Sequence, residues 1–285
     1  MDWTAAFPAV FVFLWATGFI GAKLGLPYAE PATFLALRFA IVLAILIPLC
    51  WFSKAPWPAP TGAFHMVVAG VLLQAGYLGG VFASIHHGMP AGVSAVVTGL
   101  QPLLTAVLAG RRLGERVSGR QWTGLVLGLA GVMLVVGERL TQSRMGSAAV
   151  LLALVALASI TLGTLWQKRH GAAVDLRTGA AVQFLAAAAV TTPFSIVLES
   201  GSVIWSGEFV FALMWSVVVL SLGAIFLLLF LIRQGGATQV ASLFYLVPPT
   251  TALIAWPLFG ETYSVLSGLG MGFAVIAVWL VTQKR

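Results

Sequence analysis

The chain has 285 residues, of which 60% are hydrophobic and only 8% are charged, and its mean hydropathy is +1.02. A soluble globular domain carries about 25% charged residues, so this composition excludes a soluble domain and indicates an integral membrane protein in a lipid bilayer. The formal net charge of +7 would suit nucleic acid in a soluble chain. Here the positions of the basic residues indicate membrane topology, so nucleic acid is not predicted as a partner.

Ten apolar runs follow one another, each close to the length of about 20 residues that a membrane-spanning helix needs. They predict spans near residues 5–23, 32–52, 63–86, 90–110, 119–137, 147–167, 178–198, 209–232, 237–259 and 263–282. The turns after the third and eighth spans are very short and require antiparallel helix pairs. The predicted fold class is an all-α integral membrane protein with ten transmembrane helices.

The loops between these spans alternate in basic charge. One set of loops contains Lys54, Arg111, Arg112, Arg116, Arg120, Lys168, Arg169, Arg177, Arg233, Lys284 and Arg285. The other set contains only Lys23, Arg139 and Arg144. Because cytoplasmic loops carry the excess of Lys and Arg, we predict a multi-pass protein of the plasma membrane with both termini in the cytoplasm.

The second half of the chain repeats the first. Residues 91–136 align without a gap on 237–282 at an offset of 146, with identities such as Pro102/Pro248 and Thr105/Thr251. Weaker matches at an offset of 145 include Arg38/Gln183. We therefore divide the chain into repeats at 1–145 and 146–285. Five spans each make the repeats inverted, which favours alternating access around a central cavity between the halves.

Several segments resemble the drug/metabolite transporter superfamily, in particular its ten-helix EamA-type branch. The segments are Leu14–Gly25, Pro31–Ala40, Ala91–Pro102 and the paired motifs Leu113–Glu115 and Phe259–Glu261. The resemblance implies a central cavity lined mainly by spans 3, 4, 8 and 9. Within the branch the chain is similar to bacterial exporters of amino acids, including aromatic ones, which implies a location in the bacterial inner membrane.

Polar and aromatic residues inside the spans are the candidates for substrate binding. Thr98 and Gln101 lie on one polar face of span 4, where the alternative is hydrogen bonding between helices. Gln74 and Tyr77 lie one turn apart in span 3, and aromatic residues in spans 1 and 9 could stack on a substrate ring. The predicted substrate-binding set is Trp15, Gln74, Tyr77, Thr98, Gln101, Phe244 and Tyr245.

Two further groups have open interpretations. Pro102, Pro248 and Pro249 interrupt spans 4 and 9 and are candidate gating or hinge positions, or static kinks. Arg38 is the one basic group well inside a span. It could extend to the membrane surface, pair with carbonyl groups, or contact a substrate carboxylate at the cavity mouth.

No Asp or Glu lies in the middle of a predicted span, and the four histidines show no metal-ligand spacing. We therefore predict no catalytic residue, no metal and no cofactor, and we expect no requirement for an oligomer. A cation–proton antiporter normally needs an intramembrane carboxylate. The sequence instead favours a secondary transporter that exports small neutral or zwitterionic metabolites, foremost amino acids with large apolar or aromatic side chains. The alternatives are an exporter of another small metabolite or drug, a channel and a lipid-moving protein.

Overall fold

The computed structural model describes residues 6–112, 118–142, 146–234, 240, 243–260 and 264–282. Throughout these residues the chain is built from helices, and their only β-type pairing is one isolated bridge between Ala29 and Val203. The motif Leu113–Glu115, the end of the motif Phe259–Glu261 and the predicted repeat boundary after residue 145 lie outside the described residues.

The helices follow the predicted spans in order. They are α1 (Phe7–Gly25), α2 (Pro31–Phe52), α3 (Pro60–His86), α4 (in two segments, Ala91–Thr98 and Gln101–Arg112), α5 (Gly119–Gln142), α6 (Ser147–His170), α7 (Leu176–Leu198), α8 (Gly207–Gln234), α9 (Val247–Phe259) and α10 (Val265–Thr282). Six of them, namely α1, α2, α3, α6, α7 and α8, are long and apolar enough to cross a membrane. The shorter apolar stretches are Ala91–Thr105, Leu243–Phe259 and Val265–Ala277.

Local sequence signals explain several helix ends. Pro31 and Pro60 occupy the first turns of α2 and α3, where a missing N–H costs no intrahelical hydrogen bond. Asp175 and Ser206 cap α7 and α8 by accepting backbone N–H groups at 2.9 and 3.1 Å. Gly260 ends α9 in the left-handed conformation at φ 64°, which glycine adopts without strain.

The helices pack mainly across the two sequence halves. α1 packs on α8 and α9, and in the same way α6 packs on α3 and α4. α2 pairs with α7, α4 with α9, and α5 with α10. The largest buried cluster includes Phe34, whose ring lies 5.1 Å from Phe82 and 5.6 Å from Phe209, measured between ring centroids. The core therefore lies between the halves, where a substrate site is expected.

Two predicted spans differ in detail from the helices found. α4 is interrupted at Gly99 and Leu100, and a 3-10 turn at Leu243–Leu246 directly precedes α9. Pro102 and the pair Pro248–Pro249 lie in the first turns that follow these breaks. Proline is tolerated in a first turn, so here it starts a helix and does not bend one in its middle.

Two π-helical segments were not predicted. They are Val71–Gly76 within α3 and Trp215–Ala224 within α8. These positions correspond to one another at the repeat offset of 145. Such segments widen the helix and rotate the residues that follow, and they are frequent at functional sites. Next to the first of them, a Cβ on Gly80 would lie 2.7 Å from the Leu152 carbonyl oxygen, so α3 and α6 approach closely because glycine is there.

Candidate substrate cavity

Three of the predicted site residues form one aromatic cluster. Trp15 of α1 donates its indole Nε1–H to the Tyr77 hydroxyl of α3 at 2.9 Å, and the two rings are stacked with centroids 5.9 Å apart. Phe244, in the turn before α9, meets the Trp15 ring at a centroid distance of 5.2 Å in an edge-to-face arrangement. All three side chains are buried. The cluster thus joins helices of both halves through large aromatic surfaces.

A cavity of about 30 Å³ lies beside this cluster. Its lining consists of Trp15, Gly18, Phe19, Arg38, Tyr77, Leu78, Val81, Phe82, Leu220, Ala224 and Ile225. One water needs roughly 10–15 Å³ by the same measure, so the cavity has room for about two waters and not for an amino acid. An amino acid would fit in this cavity only if the surrounding helices separated.

Arg38 reaches this cavity from α2. Its side chain is only 2% exposed, and its Nε–H donates to the Ser221 hydroxyl in the π-helical segment of α8 at 2.9 Å. Arg38 therefore does not extend to the protein surface. Among the described residues it has no carboxylate partner and no other side-chain hydrogen bond.

Gln74 of α3 and Thr98 and Gln101 of α4 are not part of the cavity lining. Gln101 donates its Nε2–H to the Thr164 hydroxyl of α6 at 2.9 Å. The Thr98 hydroxyl donates to the Ser94 carbonyl one turn earlier, which is the packing interpretation for that residue. Gln74 is buried, and its Oε1, like that of Gln101, has no hydrogen-bond partner in the part of the chain that the structure describes. Within that part of the chain, both amide oxygens therefore keep unused acceptor capacity.

Tyr245 is not brought to the aromatic cluster. It packs with Leu125 of α5 and Ala277 of α10, and a Cβ on Gly128 would lie 2.7 Å from its ring. Conversely, the structure places Ser221 and Thr164 against predicted site residues, although neither was a candidate. Their partners come from the other half of the chain, and the sequence holds no local signal for such a pairing.

The helical fold, with several apolar helices long enough to cross a bilayer, defines a multi-pass membrane protein. The family model described as the EamA-like transporter family matches residues 3–137 and again 147–283. These matches cover most of the chain, and the protein belongs to this family.

Similar bacterial proteins support the assignment to a family of membrane transporters. The uncharacterized inner membrane transporter YedA of Escherichia coli K12 is 27% identical over 274 residues, covering 95% of this chain and 88% of the relative. The uncharacterized transporter YvbV of Bacillus subtilis is 29% identical over 293 residues, covering 99% and 92%. The probable amino-acid metabolite efflux pump of E. coli K12 is 27% identical over 158 residues, covering 55% and 51%.

A solved structure has a similar fold. A chain described only as "Crystal structure of protein" superimposes with a TM-score of 0.75 at 22% sequence identity, covering 97% of this chain and 95% of the other. At this identity the likeness concerns the fold alone. It agrees with the helical arrangement described above.

Proposed function

We propose that the protein is a secondary transporter of the bacterial inner membrane that exports neutral or zwitterionic amino acids, preferentially those with large apolar or aromatic side chains. The main support is the buried cluster of Trp15, Tyr77 and Phe244 beside a cavity between the two halves. Aromatic walls with a few polar groups suit a substrate with an apolar side chain. The similarity to a probable amino-acid metabolite efflux pump supports the same substrate class.

Contacts between distant loops support ten membrane crossings. The bridge between Ala29 and Val203 places the α1–α2 and α7–α8 connections on one face, with the six helices α2 to α7 between them. The hydroxyl of Thr178, in the first turn of α7, donates to the Pro56 carbonyl in the α2–α3 connection at 2.8 Å, which places both on one face across the four helices α3 to α6. An even number of crossings is needed in both cases. This requirement agrees with one crossing each for the broken α4 and its neighbour α5.

Alternating access is the mechanism that this arrangement favours. The family model matches once in each half, the π-helical segments occupy corresponding positions, and the packing pairs come in two related sets. These observations support an inverted repeat of 1–145 on 146–285. Two such halves can exchange conformations and so open the cavity to either side in turn. Pro102, Pro248 and Pro249 mark the helix starts at which such movement could be absorbed.

We predict that substrate transport is not coupled to proton movement. None of the acidic residues lies near the middle of a described helix, so no carboxylate is placed to relay protons within the membrane. We therefore expect the substrate to move down its own concentration gradient.

Transport by purified protein in liposomes tests the proposal. We expect saturable uptake of large neutral amino acids such as phenylalanine, without an imposed pH gradient and stimulated by the same substrate on the opposite side. Trans-stimulation distinguishes a carrier from a channel. Absence of transport for all twenty amino acids, or transport that occurs only with a pH gradient, would contradict the proposal.

A further inference from the structure

Arg38 is a buried cation that has no carboxylate partner among the residues that the structure describes. A charged group withdrawn from water is costly unless it is paired and its hydrogen bonds are satisfied. A guanidinium group has five N–H donors, and in the described residues only the Nε–H of Arg38 reaches a side-chain acceptor, the neutral hydroxyl of Ser221 at 2.9 Å. The two Nη groups have no side-chain partner there. This is an incomplete site for an anion.

The surroundings of Arg38 indicate which kind of anion would fit this incomplete site. Arg38 lines the same cavity as Trp15 and Tyr77, and the rest of the lining is largely aliphatic and aromatic, with Phe82, Leu220 and Ile225. The two Nη groups of a guanidinium match the two oxygens of a carboxylate in a planar, bidentate pair. A cation next to apolar and aromatic walls suits a molecule with a carboxylate at one end and an apolar group at the other.

Ser221 holds the guanidinium in place from the opposite half. It lies in the π-helical segment Trp215–Ala224 of α8, so its orientation depends on an irregular turn that the sequence did not predict. At the position equivalent to Arg38, the second half has Gln183, which is neutral and donates to Gln167 Oε1 at 3.1 Å. The anion site therefore exists in one half only.

We propose that Arg38 binds the carboxylate of the transported substrate and that Ser221 positions it, so that the transporter requires a carboxylate on its substrate. This inference rests on the proposed function and specifies its substrate class. When the carboxylate binds, its negative charge compensates the positive charge of Arg38, and the cavity can close around an ion pair with no net charge. An amine or alcohol of the same shape would leave the cation buried and unpaired.

Analogues of phenylalanine test the requirement on the unaltered protein. We expect 3-phenylpropionate, which keeps the carboxylate and lacks the ammonium group, to compete with phenylalanine uptake and to raise the melting temperature of the purified protein. Phenylalaninol, which keeps the ammonium group and lacks the carboxylate, should do neither at the same concentration. Equal competition by both compounds would overturn the inference and leave the proposed export of amino acids standing.

Variants of Arg38 and Ser221 assign the effect to this site. Arg38→Gln installs the residue of the equivalent position, and it should weaken phenylalanine binding by about 10- to 100-fold, the scale of a charged hydrogen-bonded pair. The ratio of its affinities for phenylalanine and phenylalaninol should fall close to 1. Ser221→Ala keeps the charge and should raise KM several-fold while the preference for the carboxylate is retained. An Arg38→Gln protein that still prefers the carboxylate would exclude Arg38 as its ligand.

The two proposals fail in different ways. If the protein transports no amino acid, the thermal shift with 3-phenylpropionate still reports on the site, because it needs no transport. If Arg38→Gln does not fold, the comparison of Ser221→Ala with the unaltered protein remains. A Ser221→Ala protein whose KM and thermal shift are both unchanged would contradict the assigned role of Ser221.

Discussion

At the scale of single residues, the hydrogen bond between Trp15 and Tyr77 links two helices at the cavity. Tyr77→Phe keeps the ring and removes the acceptor, which leaves the buried indole N–H unsatisfied at a cost of about 1–3 kcal/mol. We expect a lower free energy of unfolding together with a several-fold loss of transport. Chemical denaturation and liposome uptake measure the two effects.

The chain provides a matched control for this variant. Trp215 of α8 donates its indole Nε1–H to the Thr17 hydroxyl of α1 at 3.0 Å, and neither residue lines the cavity. Thr17→Val removes an acceptor of the same kind between helices and should cost a similar amount of stability. Its transport per folded molecule should stay near that of the unaltered protein. Equal losses of transport in both variants would mean that Tyr77 acts only through packing.

The sequence predicted individual site residues better than it predicted which residues contact them. Trp15 and Tyr77 stood out because large aromatic residues in the middle of a span differ from the usual belt at span ends. Ser221 and Thr164 did not, because a serine or threonine in an apolar helix commonly bonds its own backbone. Only the packing of one half on the other shows which of these hydroxyls contacts a candidate site residue.

At the scale of secondary structure, a carboxylate from the second half of the chain caps the N-terminus of a helix in the first half. Glu199, at the end of α7, accepts the backbone N–H groups of Ala32 and Thr33 at 2.7 Å each and the Thr33 hydroxyl at 2.8 Å. A negative charge at a helix N-terminus is favourable, and these bonds are charge-assisted. This contact joins α2 and α7 on one face only. On the other face, Thr178 of α7 meets the Pro56 carbonyl in its place.

Glu199→Gln should therefore open that face of the transporter. The amide offers one acceptor in place of two and turns an NH2 group toward the N–H groups of α2. A loss of about 1.4 kcal/mol in the closed state shifts the equilibrium about tenfold toward the open one. Gly18→Cys reports on this opening, because Gly18 lines the cavity and a Cβ there would lie 3.6 Å from Leu220. Labelling with an impermeant maleimide from the Glu199 side should accelerate.

Asp175→Asn is the control for this change. Asp175 also caps a helix start, that of α7, but it bonds Arg177 only two residues away and does not join the halves. Its loss should lower stability without changing the labelling rate of Gly18→Cys. The native Cys50 is buried and should contribute little background. An unchanged labelling rate in Glu199→Gln would show that this contact does not control access.

The order and extent of the helices were largely predictable, because the apolar runs are long and their boundaries carry prolines and polar residues. The breaks in α4 and α9 were not, since proline in an apolar run indicates a kink or a helix start equally well. The π-helical segments of α3 and α8 have no sequence signature. The sequence also does not distinguish Phe244, which enters the cavity cluster, from its neighbour Tyr245, which packs against α5, because that difference depends on packing between distant helices.

At the scale of the whole molecule, the two faces differ in chemistry. On the face of the α1–α2 and α7–α8 connections, acidic side chains accept hydrogen bonds: Glu30 from Ser200, and Glu208 from Tyr28. The bonds from Ser200 hold the pKa of the Glu30 carboxyl below its usual value. On the opposite face, basic side chains donate to carbonyl groups, as Lys168 does to Ile232 at 2.9 Å. Because basic residues favour the cytoplasm, we predict that the acidic face is the outer one.

Cysteine accessibility in intact cells tests this orientation. Ser202 lies in the exposed α7–α8 connection, and Lys54 lies in the exposed α2–α3 connection on the other face. We expect Ser202→Cys to react with an impermeant maleimide added outside, and Lys54→Cys to react only after the membrane is permeabilised. The physical reason is that translocating the loops with most Lys and Arg is disfavoured, so those loops stay inside together with both termini. Labelling of Lys54→Cys in intact cells would show that the topology is the reverse of the predicted one. It would also place the Glu199 contact at the cytoplasmic mouth of the cavity, so that Glu199→Gln would open the entry route for export in place of the exit.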